Sequence, residues 1–372
     1  MRNIRIYYPI LLLLFCLSCR KDAGIIPATA VQVQAPGSAG NSFYLLNEGN
    51  MGTNKASIDF FNKEAGTYTI NLYNTVNPTA TKELGDVGND IGIYGAKLYA
   101  VINLSNKVEV MEAATAKRIG QIDIENCRYL IFHNGKAYVS AYGVSIGTAT
   151  PGFVAEIDTA TLQITRQVYV GRQPEQMAIV GNTLYVANSG GYSPPNYEHT
   201  VSTIDLGSFT ETGRIEVAIN LGGLKADRFG SLYVQSRGDY YNIKPKLYRI
   251  DTQTQQVKDS FDIAADAFTI YGDSAYIINS SWSYLTNSNS ISYALLNTAT
   301  HQLTGHSFIT DGTDSQIKIP YNIAISPVTG DIYVTDAKDY VTPGTLYCFD
   351  RTGKKRWSAT TGDIPSAIAF LP

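Results

Sequence analysis

The chain has 372 residues, 44% of them hydrophobic and 16% charged, which excludes a disordered polymer and supplies enough apolar material for a sizeable core. Its formal net charge is -3 and its longest basic run is Lys354-Lys355-Arg356, so the electrostatic footprint of a nucleic-acid binder is missing. Tyrosine outnumbers phenylalanine by 26 to 13, and tyrosine suits strands and half-wet surfaces alike.

The first element is MRNIRIYYPILLLLFCLSC. Arg2 and Arg5 precede an apolar stretch from Ile10 to Leu17 that is too short to span a bilayer and has the form of a secretory signal. Its end resembles a bacterial lipobox: Ser18 precedes Cys19, and Cys16 stands where leucine is usual. The expectation is a lipoprotein signal peptide over residues 1–18 with lipidation at Cys19; a plain signal peptide is the alternative. Residues 19–40, small and polar with two prolines, read as a lipidated flexible tether. Contact with a membrane would then run through the lipid alone.

From residue 41 onward one pattern recurs, a tyrosine flanked by apolar residues: FYLL at Tyr44, LYAV at Tyr99, AYVS at Tyr138, LYVA at Tyr185, LYVQ at Tyr233, AYII at Tyr276 and IYVT at Tyr333. The spacings are 55, 39, 47, 48, 43 and 57 residues. A Gly-Asn or Gly-Asp type of turn precedes nearly every anchor, and a second alternating run follows it, as in FVAEID, VSTID and LYRID. In five units an Asp or Asn closes that run and opens a turn: IDTATLQ, IDLGSFT, IDTQTQQ, LNTATHQ and FDRTGKK. Upstream lie runs of small and apolar residues such as PEQMAIV and YNIAIS. No helical periodicity competes after residue 40. Each unit therefore predicts four short antiparallel strands, and the period is that of a propeller blade.

The prediction is an all-β, seven-bladed β-propeller over residues 41–372. The first unit starts at its anchor strand, while IPSAIAF at 364–370 is an inner strand without a unit. This C-terminal strand is expected to complete the first blade and close the ring, which removes the open sheet edges. Cys127 and Cys348 then fall on blades too far apart for a bridge, and two free, buried thiols are predicted.

In such a ring, the connections between second and third strands and those between blades emerge on one face. Beside NEGNMGTN and the short NLSN of the first two blades, five consecutive blades have the connections AYGVSIGTATPG, NSGGYSPPNYEH, SRGDYYNIKP, NSSWSYLTNSNS and DAKDYVTPG. They carry Tyr142, Tyr192, Tyr197, Tyr240, Tyr241, Trp282, Tyr284 and Tyr340. Tyr, Ser, Gly and Asn in loops compose a recognition surface, because tyrosine offers rigid contact area at low entropic cost. The inter-blade links add Asp86, Asn89, Asp90, Arg172, Gln173, Glu175, Asn220, Asp266, Tyr321 and Asn322 near the axis. An aromatic-rimmed bowl with a polar floor is expected.

Residues for catalysis are sparse in the sequence. Of four histidines only His199 falls on the loop-rich side, and there is no His pair, CxxC pair or D-x-D-x-D-G loop. No catalytic residue, metal site or cofactor is predicted. FDRTGKKRW at 349–357 is similar to the tryptophan-docking motif of quinoprotein propellers, but it occurs once and one residue short. Trp357 is expected to pack between blades.

The signal with Cys19, the repeated LYV anchor, the IDTxT turns and the NEGN of Asn47–Asn50 together resemble the Bacteroidetes surface lipoproteins with a YncE-like propeller, above all the vitamin B12-binding, BtuG-type members. The resemblance implies a non-catalytic outer-membrane lipoprotein displayed on the cell surface. It would capture a corrinoid as ligand rather than cofactor and pass it to a TonB-dependent outer-membrane transporter, being otherwise monomeric. Under it, Tyr142, Tyr192, Tyr197, Tyr240, Tyr241, Trp282 and Tyr340 would contact the ring. Arg172, Gln173, Arg237, Asp239 and Asn322 would supply polar contacts. The alternatives are a scaffold or adhesion propeller binding protein or glycan, and a propeller lyase or quinoprotein enzyme.

Overall fold

Strands of five or six residues have unsatisfied edges and need neighbours on both sides. In the computed structural model, which describes residues 28–79, 83–147, 150–304 and 306–372, they assemble into seven antiparallel sheets, the blades of a β-propeller. In chain order from blade 2, the inner strands are Gly88–Tyr94, Cys127–His133, Pro174–Val180, Leu221–Ala226, Ala267–Tyr271 and Pro320–Ile325. Blade 1 takes its inner strand, Pro365–Phe370, from the other end of the chain, paired with Phe43–Asn47 in the register Phe43↔Phe370 and Leu45↔Ile368. The predicted closure is therefore observed.

Every anchor tyrosine lies on the second strand of its blade. Each also belongs to a core shared with the next blade: Tyr99 with Val139 and Ile157, Tyr233 with Phe268 and Ile277, and Tyr333 with Phe43 and Leu45 across the closure. All are buried except Tyr276, which is half-buried. Fully burying a large apolar side chain contributes about 1.5–3 kcal/mol, and the repeat applies that gain at every blade contact. Fourth strands have one wet face and alternate accordingly, as in Gln256–Phe261.

Four details depart from the sequence reading. Thr29–Gln32, inside the stretch read as tether, pairs with Thr67–Ile70 as a fifth strand of blade 1. Val31 and Val33 alternate with Gln32 and Gln34 there, a strand pattern masked by the surrounding Pro and Gly. Residues 1–18 and Cys19 lie outside the described residues. A five-residue helix, Leu72–Val76, interrupts the link from blade 1 to blade 2, and its Tyr73 hydroxyl donates to Glu109 at 3.0 Å. A 3-10 turn, Thr313–Gln316, lies in the link to blade 7. Finally, NSSWSYLTNSNS is not a loop: the second and third strands of blade 6, Ser274–Ser283 and Ser288–Asn297, pair over ten residues and lift their tip above the sheet.

Cys127 and Cys348 are free and buried, as predicted. Trp357 packs on Phe61 with ring centroids 5.2 Å apart, and its indole N–H donates to Gln34 at 3.2 Å. That contact ties the N-terminal segment across blades 1 and 7.

Candidate ligand-binding face

The two faces of the ring are built differently. On one, all five Asx turns form as the sequence dictates: the side-chain oxygens of Asp158, Asp205, Asp251, Asn297 and Asp350 accept backbone N–H groups two or three residues on. On the other, the connections differ in length and construction.

Two of these connections share a device. In the loop after the second strand of blade 5, Gly238 has φ +63, and a Cβ there would lie 1.9 Å from the Ile243 carbonyl oxygen, so only glycine fits. Asp239 then accepts N–H bonds from Tyr241, Asn242 and Ile243. The corresponding Asp339 of blade 7 accepts from Val341 and Thr342. The next residue in each loop, Tyr240 or Tyr340, has a left-handed backbone with φ 65 and φ 63. A non-glycine residue in that region costs about 1 kcal/mol or more, so the capped turn holds each ring against its own preference.

Tyr240, Trp282 and Tyr340 surround the mouth of one axial cavity of about 770 Å³. A ring cluster continues outward from it: Tyr284 lies 6.4 Å from Tyr240, 5.3 Å from Tyr241 and 6.3 Å from Trp282, and Tyr340 is 6.0 Å from Tyr321. Below the rim the walls are polar, with Glu48, Asn89, Asp90, Arg128, Gln176, Lys225, Gln235, Arg237, Asp266 and Asn322 among the lining residues.

Charge in this wall is arranged in networks. Glu175 sits behind the lining: Arg128 and Arg237 reach the same carboxylate oxygen at 3.4 and 3.5 Å, and the Tyr142 hydroxyl donates to the other at 2.5 Å. Burial alone would raise the Glu175 pKa, but Arg237 and Arg128 outweigh it and hold the carboxyl below its ordinary value. The Arg128 guanidinium also lies 5.0 Å from the centre of the Tyr142 ring. Burial raises the other three acids. Glu48 moves up despite a 2.6 Å hydrogen bond from the Tyr321 hydroxyl, and Asp266 despite donors at Ser280 and Ser281. Asp90, which accepts from the Leu130 and Ile91 N–H groups, is pushed up to about 6.

The structure distributes the twelve predicted ligand residues unevenly. Arg237, Tyr240, Trp282, Asn322 and Tyr340 line the cavity. Tyr192, 54% exposed, Tyr241, 55% exposed, and the partly exposed Tyr197 stand on the outer rim, Tyr197 within electrostatic reach of Tyr240, Tyr241 and Tyr284. The other four do not reach the bowl. Tyr142 is only 2% exposed and belongs to the Glu175 network, with its ring 5.8 Å from Tyr192. Arg172 clamps its own loop through Glu198 and the Asn196 carbonyl. Asp239 is occupied as a turn cap. Gln173 is fully buried at the left-handed position immediately before an inner strand, a place that Val87, Asn126, Asn220 and Ile364 fill in other blades. His199 pairs with Glu216 at 3.0 Å.

Sequence reasoning missed Arg128 and Lys225. For Lys225 the signal is a break in symmetry. At the inner-strand position paired with each anchor tyrosine, the seven blades carry Ala369, Gly92, Ile131, Ala178, Lys225, Thr269 and Ala324. Lys225 alone is charged.

Among the described residues, no group of three or more His, Cys, Asp or Glu side chains is placed to hold a metal ion, and no helix is long and apolar enough to cross a membrane.

The fold is that of a seven-bladed β-propeller with an axial cavity. The chain belongs to the family described as a domain of unknown function, DUF5074, whose profile matches residues 41–363. No curated protein matches it. Among solved structures it is similar to a quinonprotein alcohol dehydrogenase-like protein from Bacteroides thetaiotaomicron, at 14% identity and a TM-score of 0.58 over 89% of this chain and 78% of that one. It is also similar to hydrazine synthase of Kuenenia stuttgartiensis, at 15% identity and a TM-score of 0.57 over 71% and 76%. The computationally designed Ika8 protein gives 12%, 0.55, 90% and 92%. At these identities the likeness establishes the fold alone.

Proposed function

We propose that this protein is a non-catalytic, lipid-anchored surface lipoprotein of the outer membrane that captures a corrinoid such as vitamin B12 on its loop-rich face and passes it to a TonB-dependent transporter. The observation that carries this reading is the convergence of Tyr240, Trp282 and Tyr340, from blades 5, 6 and 7, on the mouth of a single polar-walled cavity. A corrin is wide and nearly flat, with amides around its edge. Aromatic rings at a rim can lie against such a plate while Asn322, Arg237 and the deeper polar groups meet its edge and pendant arm. Holding two of the rings in strained left-handed backbone is the kind of cost a binding site carries. The exposed Tyr241, Tyr284 and Leu285 at the outer rim leave apolar area for a transporter once ligand is seated.

The test is a titration of purified protein with cyanocobalamin, followed by corrin absorbance and calorimetry. A saturable one-to-one signal is expected. Absence of heat and of any spectral change retires the corrinoid in favour of a protein or glycan ligand for the same face.

A further inference from the structure

The acids and the cations of the axial cavity are not treated alike. Glu48 receives the Tyr321 hydroxyl, Asp266 receives Ser280 and Ser281, and Asp90 receives two backbone N–H groups. Each carboxylate thus already has protein donors. The cations keep donors to spare. The Lys225 ammonium has no hydrogen bond or ion pair among the described residues, Asp90 acting on it only through charge. Arg128 Nε is buried without a hydrogen-bond partner. Arg128 and Arg237 both reach one carboxylate, that of Glu175, while Glu48, Asp90 and Asp266 act on them through charge alone. All three cations line the same cavity.

Lys225 is half-buried and its ammonium has no hydrogen-bond partner among the described residues, whereas six of the seven blades place an uncharged residue at this register. Lys225 therefore has a use that packing does not provide. We propose that Lys225, Arg128 and Arg237 form an oxyanion subsite in the axial cavity, built to take a phosphoryl group. Two forked guanidiniums from different blades and one point-like ammonium line the same space. A tetrahedral oxyanion can answer all three, whereas a planar carboxylate presents its two oxygens in one plane. The subsite stands on these residues alone, whether the phosphoryl group is free phosphate or the diester of a larger ligand.

The experiment is calorimetric titration of the full chain, at fixed ionic strength, with inorganic phosphate, dimethyl phosphate and acetate. Both phosphoryl probes should bind and acetate should bind less. Stronger binding of the diester points to a larger ligand as the source, and stronger binding of phosphate to the free ion. Lys225→Met should weaken the phosphoryl probes about ten- to a hundredfold, the range of a charge-assisted hydrogen bond. Its Tm should be unchanged, because Lys225 makes no hydrogen bond or ion pair among the described residues that methionine would break, so lost binding cannot be ascribed to unfolding. Lys225→Arg should restore binding. No heat with either phosphoryl probe, or equal affinity in wild type and Lys225→Met, overturns the subsite. A second arm separates this result from the corrinoid reading, using cyanocobalamin, which carries a phosphodiester, and dicyanocobinamide, which does not. Phosphate binding without corrinoid binding keeps the subsite and retires the corrinoid. Corrinoid binding that ignores Lys225→Met, with no phosphate binding, does the reverse.

Discussion

The turn face and the loop face are made by the same seven blades, yet they follow opposite rules. On the turn face an Asp or Asn caps a short reversal five times over, with nearly the same bonds each time. On the loop face blade 5 uses a glycine that no other residue can replace, and blade 6 extends a ten-residue hairpin. Blade 7 repeats the Asp-Tyr turn of blade 5 in a different frame. Repetition marks what the ring needs in order to close. Departure from repetition marks what the molecule does.

The largest expected effect lies on the repeated side of that contrast. Tyr233 is fully buried between blades 5 and 6, and Tyr233→Ala should cost about 3–5 kcal/mol in urea unfolding, as for other large-to-small changes in a core. Glu175→Gln comes next, at about 3 kcal/mol, because it leaves two guanidiniums without their counter-charge. A smaller loss would show that water screens the pair, and the cavity wall would then be looser than drawn. Asp251→Ala removes one turn cap and should lower stability by about 1 kcal/mol while leaving ligand affinity unchanged.

The pH dependence is of similar size, about 1 kcal/mol between pH 7 and 5. Asp90 has its pKa raised by burial from 3.8 to about 6, so the folded chain takes up its proton more readily than the unfolded chain. Stability from this group should therefore be gained as pH falls through about 6 and lost again as pH rises. Thermal melts of wild type between pH 7 and 5 should show this rise, and Asp90→Asn should reduce it, leaving the share of Glu48 and Asp266. An unchanged profile in the variant would place Asp90 in a wetter site.

How much of this was legible depends on whether a residue repeats. The anchor tyrosines, the Asx turns and the orphan strand at 364–370 recur or complete a recurrence, and they specify ring, register and closure. Tyr240, Trp282 and Tyr340 were legible as loop aromatics because the loops that carry them are longer than geometry requires. Tyr142 and Gln173 have the same composition signal but turn inward, one toward Glu175 and one at a left-handed backbone position that five of the seven blades use before the inner strand. Nothing in a loop's composition says which way its side chains face. Arg128 and Lys225 were hidden for the opposite reason: they lie within inner strands, CRYL and GGLKA, where only pairing with Tyr233 reveals the layer of Lys225 and Arg128 falls in the register shift between Cys127 and Leu130. The blade 6 hairpin read as a loop because a strand pair that stands above its sheet has no apolar face to give it away.

The most direct test of the account sets the two faces against each other in one titration. Cyanocobalamin is added to wild type, to the double variant Tyr240→Ala/Trp282→Ala and to Asp251→Ala, each checked for folding by circular dichroism. The account predicts saturable binding by wild type and by Asp251→Ala, and loss of about a hundredfold or more in the double variant, since each buried aromatic anchor at a binding site carries about 1–2 kcal/mol or more. Equal binding by all three folded proteins would place the ligand away from the loop face and contradict the account.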